Sequence, residues 1–452
     1  MRRPEPGGVG VIVEDFTVPP TLEGLARLSK RLADRDICLA VAEPTSMTWL
    51  GLSIALDAAG IDLALVGSRH VSRLRGAVSG KNKSDVIDAQ LLSRAGELFA
   101  LQPAALPDAA TLALQRACRR RHKLLIEANR CWRRIIALGR WAFPDTWNAL
   151  GGSRAAVLAV LRRWPHLEAL SRARVATIAE EIAAHSRGVR DVTVRAIRVR
   201  DSARDWVAFW DGHIDLDALA WELADLLDEL AGLDARVAGA GAQATRWWQT
   251  LWGDDDVLLS VPGVGPTVAP TIRAFLGDGS RFPEAKQAAS FVGVAPSNWS
   301  SGTVTQPSRA ISKEGPAALR LGFYQAANAA RTVDPQLAAF YRVLMVERGH
   351  CHAQAGVAIT RKLITRTWRT ITGDRPYQFR DLHNNPVTRG QAAALARSLR
   401  VPTDVRRRSR AHSNATQRGR LPANTNPHSA TRGGPSSNSP CPHSVTRKSL
   451  TV

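Results

Sequence analysis

The sequence predicts a chain of mixed class: an α/β domain, a helical coiled-coil middle, a mostly α C-terminal domain and a disordered basic tail. Three observations predict this. Short apolar runs alternate with amphipathic segments at first, two long segments of helical periodicity follow, and the chain ends rich in Ser, Asn, Pro and Arg. We expect the domains at residues 1–107, 108–253 and 254–380, with the tail at 381–452.

The composition limits the function classes. A formal net charge of +21 in 452 residues predicts a polyanionic partner, most commonly nucleic acid. The alternative is that the disordered tail carries the excess, but arginines at 116–140 and lysines at 81–83 lie outside it. The five cysteines lack zinc-ligand spacing and are typical of a reducing cytoplasm. No apolar run approaches the roughly 20 residues that a membrane span needs, so we expect no membrane contact.

The first domain alternates strands and helices, which is typical of an α/β sheet. The predicted elements are a strand at 9–18, a helix at 21–35, a strand at 36–43, a helix at 46–60, a strand at 61–67 and a helix that begins at Asp85 after an N-cap at Ser84.

The middle region contains two long amphipathic segments, at 112–138 and 216–251. Their length predicts an antiparallel coiled coil or a helical arm. The first segment is dense in arginine. This arginine face could contact phosphates or could simply be solvated, and the pattern does not decide between the two.

The third domain opens with the pattern of a helix-hairpin-helix at 258–272. Gly263 and Gly265 would allow the turn to bring backbone N–H groups close to a phosphate. An ordinary turn between helices fits the pattern equally well. Pro270 falls early in the second helix, where we expect it to cause a kink.

Three carboxylates of the first domain are candidates for a magnesium site. Glu43 ends a predicted strand, and Asp85 and Asp88 project from one face of a helix. Mg²⁺ prefers such hard oxygen ligands, and Lys81 and Lys83 just before them could hold a nucleic-acid backbone. Alternatively, the two aspartates only complement the helix dipole.

The stretch around these acids carries a family pattern. A glutamate after a strand, the turn "SRHV" at 68–71 and the motif K-x-K-S-D-x-x-D-A at 81–89 resemble the N-terminal domain of the DEDD transposases of the insertion-sequence one-ten group. The resemblance implies a ribonuclease-H-like (RuvC-like) fold. The family's first aspartate, on an opening strand, has no counterpart here, and Asp15 lies in a different strand. We expect either a start upstream of Met1 or a copy without its first strand.

The third domain resembles the second half of the same family. Its motifs are G-V-A-P at 293–296, S-G at 301–302, I-S-K-E-G at 311–315 and L-R at 319–320. The resemblance implies that Ser301 is the nucleophile. Lys313 and Arg320, which lie in the same stretch, could neutralise phosphate charge.

Taken together, the resemblance implies a transposase that cuts and rejoins DNA through Ser301, with Mg²⁺ at Glu43, Asp85 and Asp88. It also implies a homo-oligomer and guidance by a structured bridge RNA. Two other interpretations stay open: a RuvC-like junction endonuclease that uses metal and water alone, and an inactive nucleic-acid-binding remnant.

Overall fold

The computed structural model describes residues 2–3, 11–12, 14–37, 39–44, 48–78, 84–99, 101–104, 106–151, 153–186, 191–295, 300–301, 304–305 and 310–409. The chain divides into two compact units, residues 1–113 and 114–452. Among the helices in these ranges, none is long and apolar enough to cross a membrane.

The first unit is built on a short β-α-β element. Strands β3 (Ala40–Ala42) and β4 (Leu63–Leu65) pair in parallel, with Ala40 opposite Leu63. Parallel strands need a crossover connection, which α2 (Thr48–Asp57) provides. Its other elements are β1 (Arg2–Arg3), β2 (Val11–Ile12), α1 (Leu22–Ala33), α3 (Ser68–Val78) and α4 (Asp85–Leu98).

The predicted alternation of strand and helix is confirmed from α1 to α4, but the first strand is much shorter than expected. Among the described residues of 9–18, Val11–Ile12 forms the only strand, and it pairs antiparallel with Arg2–Arg3. Residues 14–19 have no regular structure, and residues 4–10 and 13 lie outside the described part. Side chains hold this segment instead: Phe16 packs into the core with the Arg31 guanidinium 4.1 Å from its ring centroid.

The second unit begins as a helical bundle. Its two long helices, α5 (Ala109–Ala142) and α11 (Leu216–Trp252), run antiparallel, because Arg121 lies against Gly241 whereas Cys131 donates to the Leu226 carbonyl. Five helices lie between them in the chain: α6 (Pro144–Leu150), α7 (Arg154–Arg163), α8 (Leu167–Arg172), α9 (Val175–Ala184) and α10 (Val192–Trp210). The predicted long helices are confirmed, and they share one core with these shorter ones rather than forming an isolated arm.

The remaining elements of the second unit include the helices that build a second core. They are a 3₁₀ helix (Val257–Ser260), α12 (Ala269–Leu276), α13 (Ala285–Val292), β5 (Ser300–Ser301), β6 (Val304–Thr305), α14 (Ala317–Ala330), α15 (Pro335–Arg342), a π-helix (Val343–Glu347), α16 (His352–Gly373) and α17 (Arg389–Ser398). Leu114 of α5 and Trp248 of α11 are buried in this core, so the long helices join it to the bundle.

The helix-hairpin-helix differs from its prediction at both ends. Its first helix is a single 3₁₀ turn, and its second, α12, begins at Ala269. Pro270 therefore stands in the first turn, where a helix does not need the missing N–H, and the predicted kink is wrong.

The prediction that disorder starts after Arg380 is also wrong. Asp381 accepts backbone N–H bonds from His383 and Asn385, and α17 follows with a complete capping box at Thr388. Val401 is buried in the second core. The polar composition of the tail as a whole concealed a short helix with apolar residues at helical spacing. Residues 410–452 lie outside the described part.

Candidate active site

The three acidic candidates belong to the first unit, on two of its elements. Glu43 directly follows β3 and is half-buried. Asp85 is the exposed first residue of α4, which the Ser84 side chain caps by accepting from Ile87 N–H at 3.2 Å. The helix packs on β3, because a methyl group at Gly96 would lie 3.1 Å from Val41 Cγ2. The cap and the helix start are as predicted.

Asp88 has an arginine partner that the sequence did not suggest. Arg75 of α3 donates from Nε and Nη2 to the two carboxylate oxygens, each at 2.7 Å. Both side chains are largely buried, at 17% and 16% exposure. This bidentate pair neutralises the Asp88 charge and ties α4 to α3.

The donor types of Glu43, Asp85 and Asp88 fit a hard divalent cation, since all three offer carboxylate oxygens. Within the described ranges, however, no group of three His, Cys, Asp or Glu side chains is arranged to hold a metal ion. Both Asp88 oxygens accept from Arg75, so a three-ligand site would require Asp88 to leave that arginine. The predicted lysines, Lys81 and Lys83, lie outside the described residues.

The serine candidate lies on a hairpin of the second unit. Strand β5 pairs antiparallel with β6, with Ser300 opposite Thr305 and Ser301 opposite Val304. Ser301 is thus the last strand residue before the connection at 302–303, which lies outside the described residues, as does the Ser301 side chain. The backbone position at the end of a strand suits a side chain that must meet a substrate.

The chain before this hairpin and the chain after it are joined by a tight backbone contact, which we call the glycine clamp (Gly293, Gly315 and Arg320). Gly293 and Ala295 precede the hairpin, and Ser312 and Lys313 follow it. The Gly293 carbonyl accepts from Lys313 N–H and the Ala295 carbonyl accepts from Ser312 N–H, both at 3.0 Å. Gly293 has φ +77°, and a Cβ there would lie 2.8 Å from the backbone nitrogen of Glu314 and 2.9 Å from that of Gly315.

Gly315 and Arg320 complete the glycine clamp. A side chain at Gly315 would collide with the Phe291 carbonyl, so only glycine fits there. Arg320 Nη1 donates to the carbonyls of Val292 and Gly315, each at 3.2 Å, and so bridges the two sides. The two glycine motifs of the sequence therefore meet in space. The structure gives Arg320 a structural contact, while Lys313 is exposed, with φ +56°.

The predicted phosphate-binding glycines differ in their surroundings. Gly263 has φ +80° and packs so closely on α14 that a side chain would collide with the Ala326 carbonyl. Packing alone accounts for this glycine. Gly265 has open space where a Cβ would stand. The predicted phosphate contact of either residue stays a prediction.

Comparison with known proteins bears directly on these two regions. A DEDD transposase model of the IS110 type matches residues 9–144, and a model described as transposase of the IS116/IS110/IS902 family matches residues 255–342. The first match contains all three acids and the second contains Ser301.

The chain belongs to the IS110 family of DEDD transposases. It is therefore an enzyme that cuts and rejoins DNA. The family assignment implies a ribonuclease-H-like fold for the N-terminal domain, and the parallel strand pair of the first unit agrees with it.

Two relatives of this transposase match most of its length, and a third matches about a quarter of it. It is 26% identical over 379 residues to the 43.6 kDa protein of insertion element IS110 from Streptomyces coelicolor. The alignment covers 82% of this chain and 91% of that protein. The 44.8 kDa protein of IS116 from Streptomyces clavuligerus is 26% identical, over 71% of the length of this chain and 79% of its own length. The pilin gene-inverting protein of Moraxella lacunata is 31% identical, over 27% of the length of this chain and 38% of its own length.

Sequence reasoning missed two features of the transposase. Arg75 was one of several arginines in a basic helix, and nothing in its spacing connects it with Asp88. His122 of α5 lies in a cleft against α12 and α14, where burial, then the charges of Arg320 and Arg121, lower its pKa. In the same cleft burial raises the pKa of the Cys118 thiol to about 11, so that Cys118 remains an unreactive thiol at neutral pH.

Proposed function

We propose that this transposase breaks and rejoins DNA by nucleophilic attack of Ser301 on a phosphodiester. The observation that supports it most directly is the glycine clamp, which joins the chain segments that precede and follow the hairpin carrying Ser301. A nucleophile must be held within a few tenths of an ångström of its reactive position, and joining the two flanks of a segment limits how far that segment can move.

The chemistry conserves the bond energy of the broken strand. The Ser301 oxygen forms a bond to phosphorus, the serine proton is given up, and the bond to one sugar oxygen breaks, so that this oxygen leaves as a hydroxyl. The cut end remains attached as a phosphoserine. A hydroxyl from another strand reverses the reaction and joins the new partner without ATP. Lys313, which is exposed and follows the hairpin in the chain, would neutralise phosphate charge.

We further propose that Glu43, Asp85 and Asp88 hold Mg²⁺ during the reaction. The ion would polarise the phosphate and stabilise the charge that develops on its oxygens. For Asp88 to contribute, Arg75 must turn away, and a DNA phosphate offers its guanidinium an equivalent bidentate partner. Lys81 and Lys83 would hold the neighbouring backbone.

The partners we propose are donor and target DNA, a bridge RNA and further copies of this chain. A charge of +21 supports nucleic-acid partners. Recombination of two duplexes needs several active sites, which supports a homo-oligomer. The Moraxella relative is named for inverting a gene, which is also a cut-and-rejoin rearrangement of DNA.

The test is a search for the covalent intermediate. The full chain is incubated with Mg²⁺, the noncoding RNA of its element and labelled DNA that carries the element's end, and the products are separated under denaturing conditions. We expect a protein–DNA adduct that Ser301→Ala abolishes and that Ser300→Ala, the matched neighbour, retains.

Two other results would contradict the proposal. Cleavage without an adduct, unaffected by Ser301→Ala, would show a metal-and-water endonuclease. Binding of DNA without cleavage, unchanged by Asp85→Ala, would show an inactive remnant.

A further inference from the structure

The outer face of α5 carries a row of cations that the proposed chemistry does not use. The helix contains nine Lys or Arg residues and a single acid, Glu127. Six of the nine fall on one stripe at spacings of three or four residues or their sum, which keeps them on one side of a helix. We call this the basic stripe; its members are Arg116, Arg119, Lys123, Arg130, Arg133 and Arg140.

Every member of the basic stripe is exposed to solvent. The opposite face of α5 is buried, with Leu124, Cys131 and Ile135 in the bundle core. The helix is therefore fixed against its own unit by one face, and it presents the other as a preformed surface.

The stripe is not neutralised by the protein. The paired helix α11 is acidic, with six Asp or Glu and two Arg. Among the described residues only one cation of α5 forms an ion pair, Arg134 with Glu229; it lies on the same side of the helix, four residues from Arg130, and is left out of the stripe because it is paired. A solvated helix usually mixes the two signs of charge along its surface, with Glu and Lys in neighbouring turns. Arg119 lies 5.1 Å from the Phe275 ring centroid, and Glu127 stands on the same side of the helix between Lys123 and Arg130. The stripe still carries six cations to one acid, and none of the six forms an ion pair among the described residues, an excess that a polyanion would neutralise.

The dimensions fit a nucleic-acid duplex. From Arg116 to Arg140 the helix rises about 36 Å, at 1.5 Å per residue. One turn of B-DNA is about 34–36 Å long. A rigid stripe of this length can contact phosphates along one whole turn. A second copy of this chain is disfavoured as the partner, because a two-fold contact would place six cations against six.

We propose that the basic stripe of α5 binds the phosphate backbone of duplex DNA, independently of base sequence. The proposal takes duplex DNA from the family's reaction and adds to the proposed function a positioning surface for the DNA to be cut. Binding through it needs neither Ser301 nor a metal ion, so it can be tested even if the serine chemistry is wrong.

The experiment measures the salt dependence of binding in EDTA. The full chain, with Ser301→Ala in every sample, is titrated into a fluorescent duplex of roughly thirty base pairs, about three turns. The stripe variant is Arg116→Gln, Lys123→Gln and Arg130→Gln together. The control removes three exposed arginines elsewhere in the second unit: Arg204→Gln, Arg236→Gln and Arg246→Gln.

The expected result is a loss of affinity of at least about tenfold at low salt for the stripe variant. The slope of log affinity against log salt should fall by about 2.7, because each phosphate that the protein no longer neutralises lowers it by about 0.9. The control variant should keep most of the parent's affinity and most of its salt slope. The melting midpoints of the parent, the stripe variant and the control variant should agree, because the changes are on the surface.

Four outcomes would overturn the proposal. One is a stripe variant with the parent's affinity and slope, and another is a control that loses as much. The third is a loss confined to a duplex RNA of the same length, measured in parallel, which would assign the stripe to RNA. A change of mass in sedimentation without a change in DNA binding would assign it to contacts between copies, and would equally overturn it.

Discussion

Two bidentate arginine–aspartate pairs, one in each unit, have the same chemistry and different surroundings. Arg75 and Asp88 retain 17% and 16% exposure, and each Asp88 oxygen accepts one bond from the arginine. Arg273 and Asp256 retain 5% and 0%. The second carboxylate also accepts from Trp248 Nε1 at 2.8 Å and from Leu258 N–H at 3.0 Å.

These surroundings show which aspartate is available for function. Burial alone would raise the pKa of Asp256, but Arg273, Leu258 N–H and Trp248 outweigh it and hold the pKa below its usual value. The Arg273 guanidinium lies 3.9 Å from the Trp252 ring centroid and donates to the Gly277 carbonyl as well. No ligand can compete with so many partners. Asp88, with one partner and access to water, can change partners.

The largest effect is expected from breaking the buried pair. Asp256→Asn should lower the free energy of unfolding of the second unit by about 3–5 kcal/mol, because it leaves the Arg273 charge buried without a counterion. Urea unfolding followed by circular dichroism measures this. Asp255→Asn, one residue away and exposed, is the control and should change little. Equal effects of the two substitutions would contradict the assignment of Asp256 as a structural carboxylate.

Acid should act on the same pair, with a smaller effect. Since folding lowers the pKa of Asp256, the stability from its ionised form is complete above the unfolded-state pKa of about 3.9. That stability is lost as the pH falls through the lower folded-state pKa. Unfolding measured from about pH 5 downward should therefore show a steeper loss in the parent than in Asp256→Asn. Parallel losses would show that other groups cause the acid sensitivity.

The smallest change in stability is expected at the less buried pair, Arg75 and Asp88. Arg75→Gln should cost about 1–2 kcal/mol, between the values for surface and buried pairs. It should also raise the affinity for Mg²⁺ by roughly tenfold, or about 1.4 kcal/mol, because the internal cation no longer competes for Asp88.

Calorimetric titration with Mg²⁺ measures that affinity without any DNA cleavage. The matched control is Arg73→Gln, an exposed arginine on the same helix for which the described residues show no ion pair. An unchanged Mg²⁺ affinity in Arg75→Gln would separate Asp88 from the metal site and make its pair with Arg75 purely structural.

The local elements and the motifs followed from the sequence alone. The helix at α4 begins at Asp85 after its Ser84 cap, and the long helices α5 and α11 run within a few residues of the predicted limits. The two family motifs led to the family that the comparisons establish. Periodicity, caps and motif spacing act over a few residues, so they can be read without knowing how the chain folds back on itself.

Which distant groups meet depended on the tertiary structure. It brought Arg75 against Asp88, packed Gly293 against Gly315 with Arg320 bridging the two sides, and gave the chain defined structure as far as Ser409. These contacts join residues that no short-range pattern connects, and each competes with water and with other partners of similar chemistry. Only the packing of whole helices brings one partner close enough to exclude the rest, which is why the availability of a carboxylate is a property of the fold.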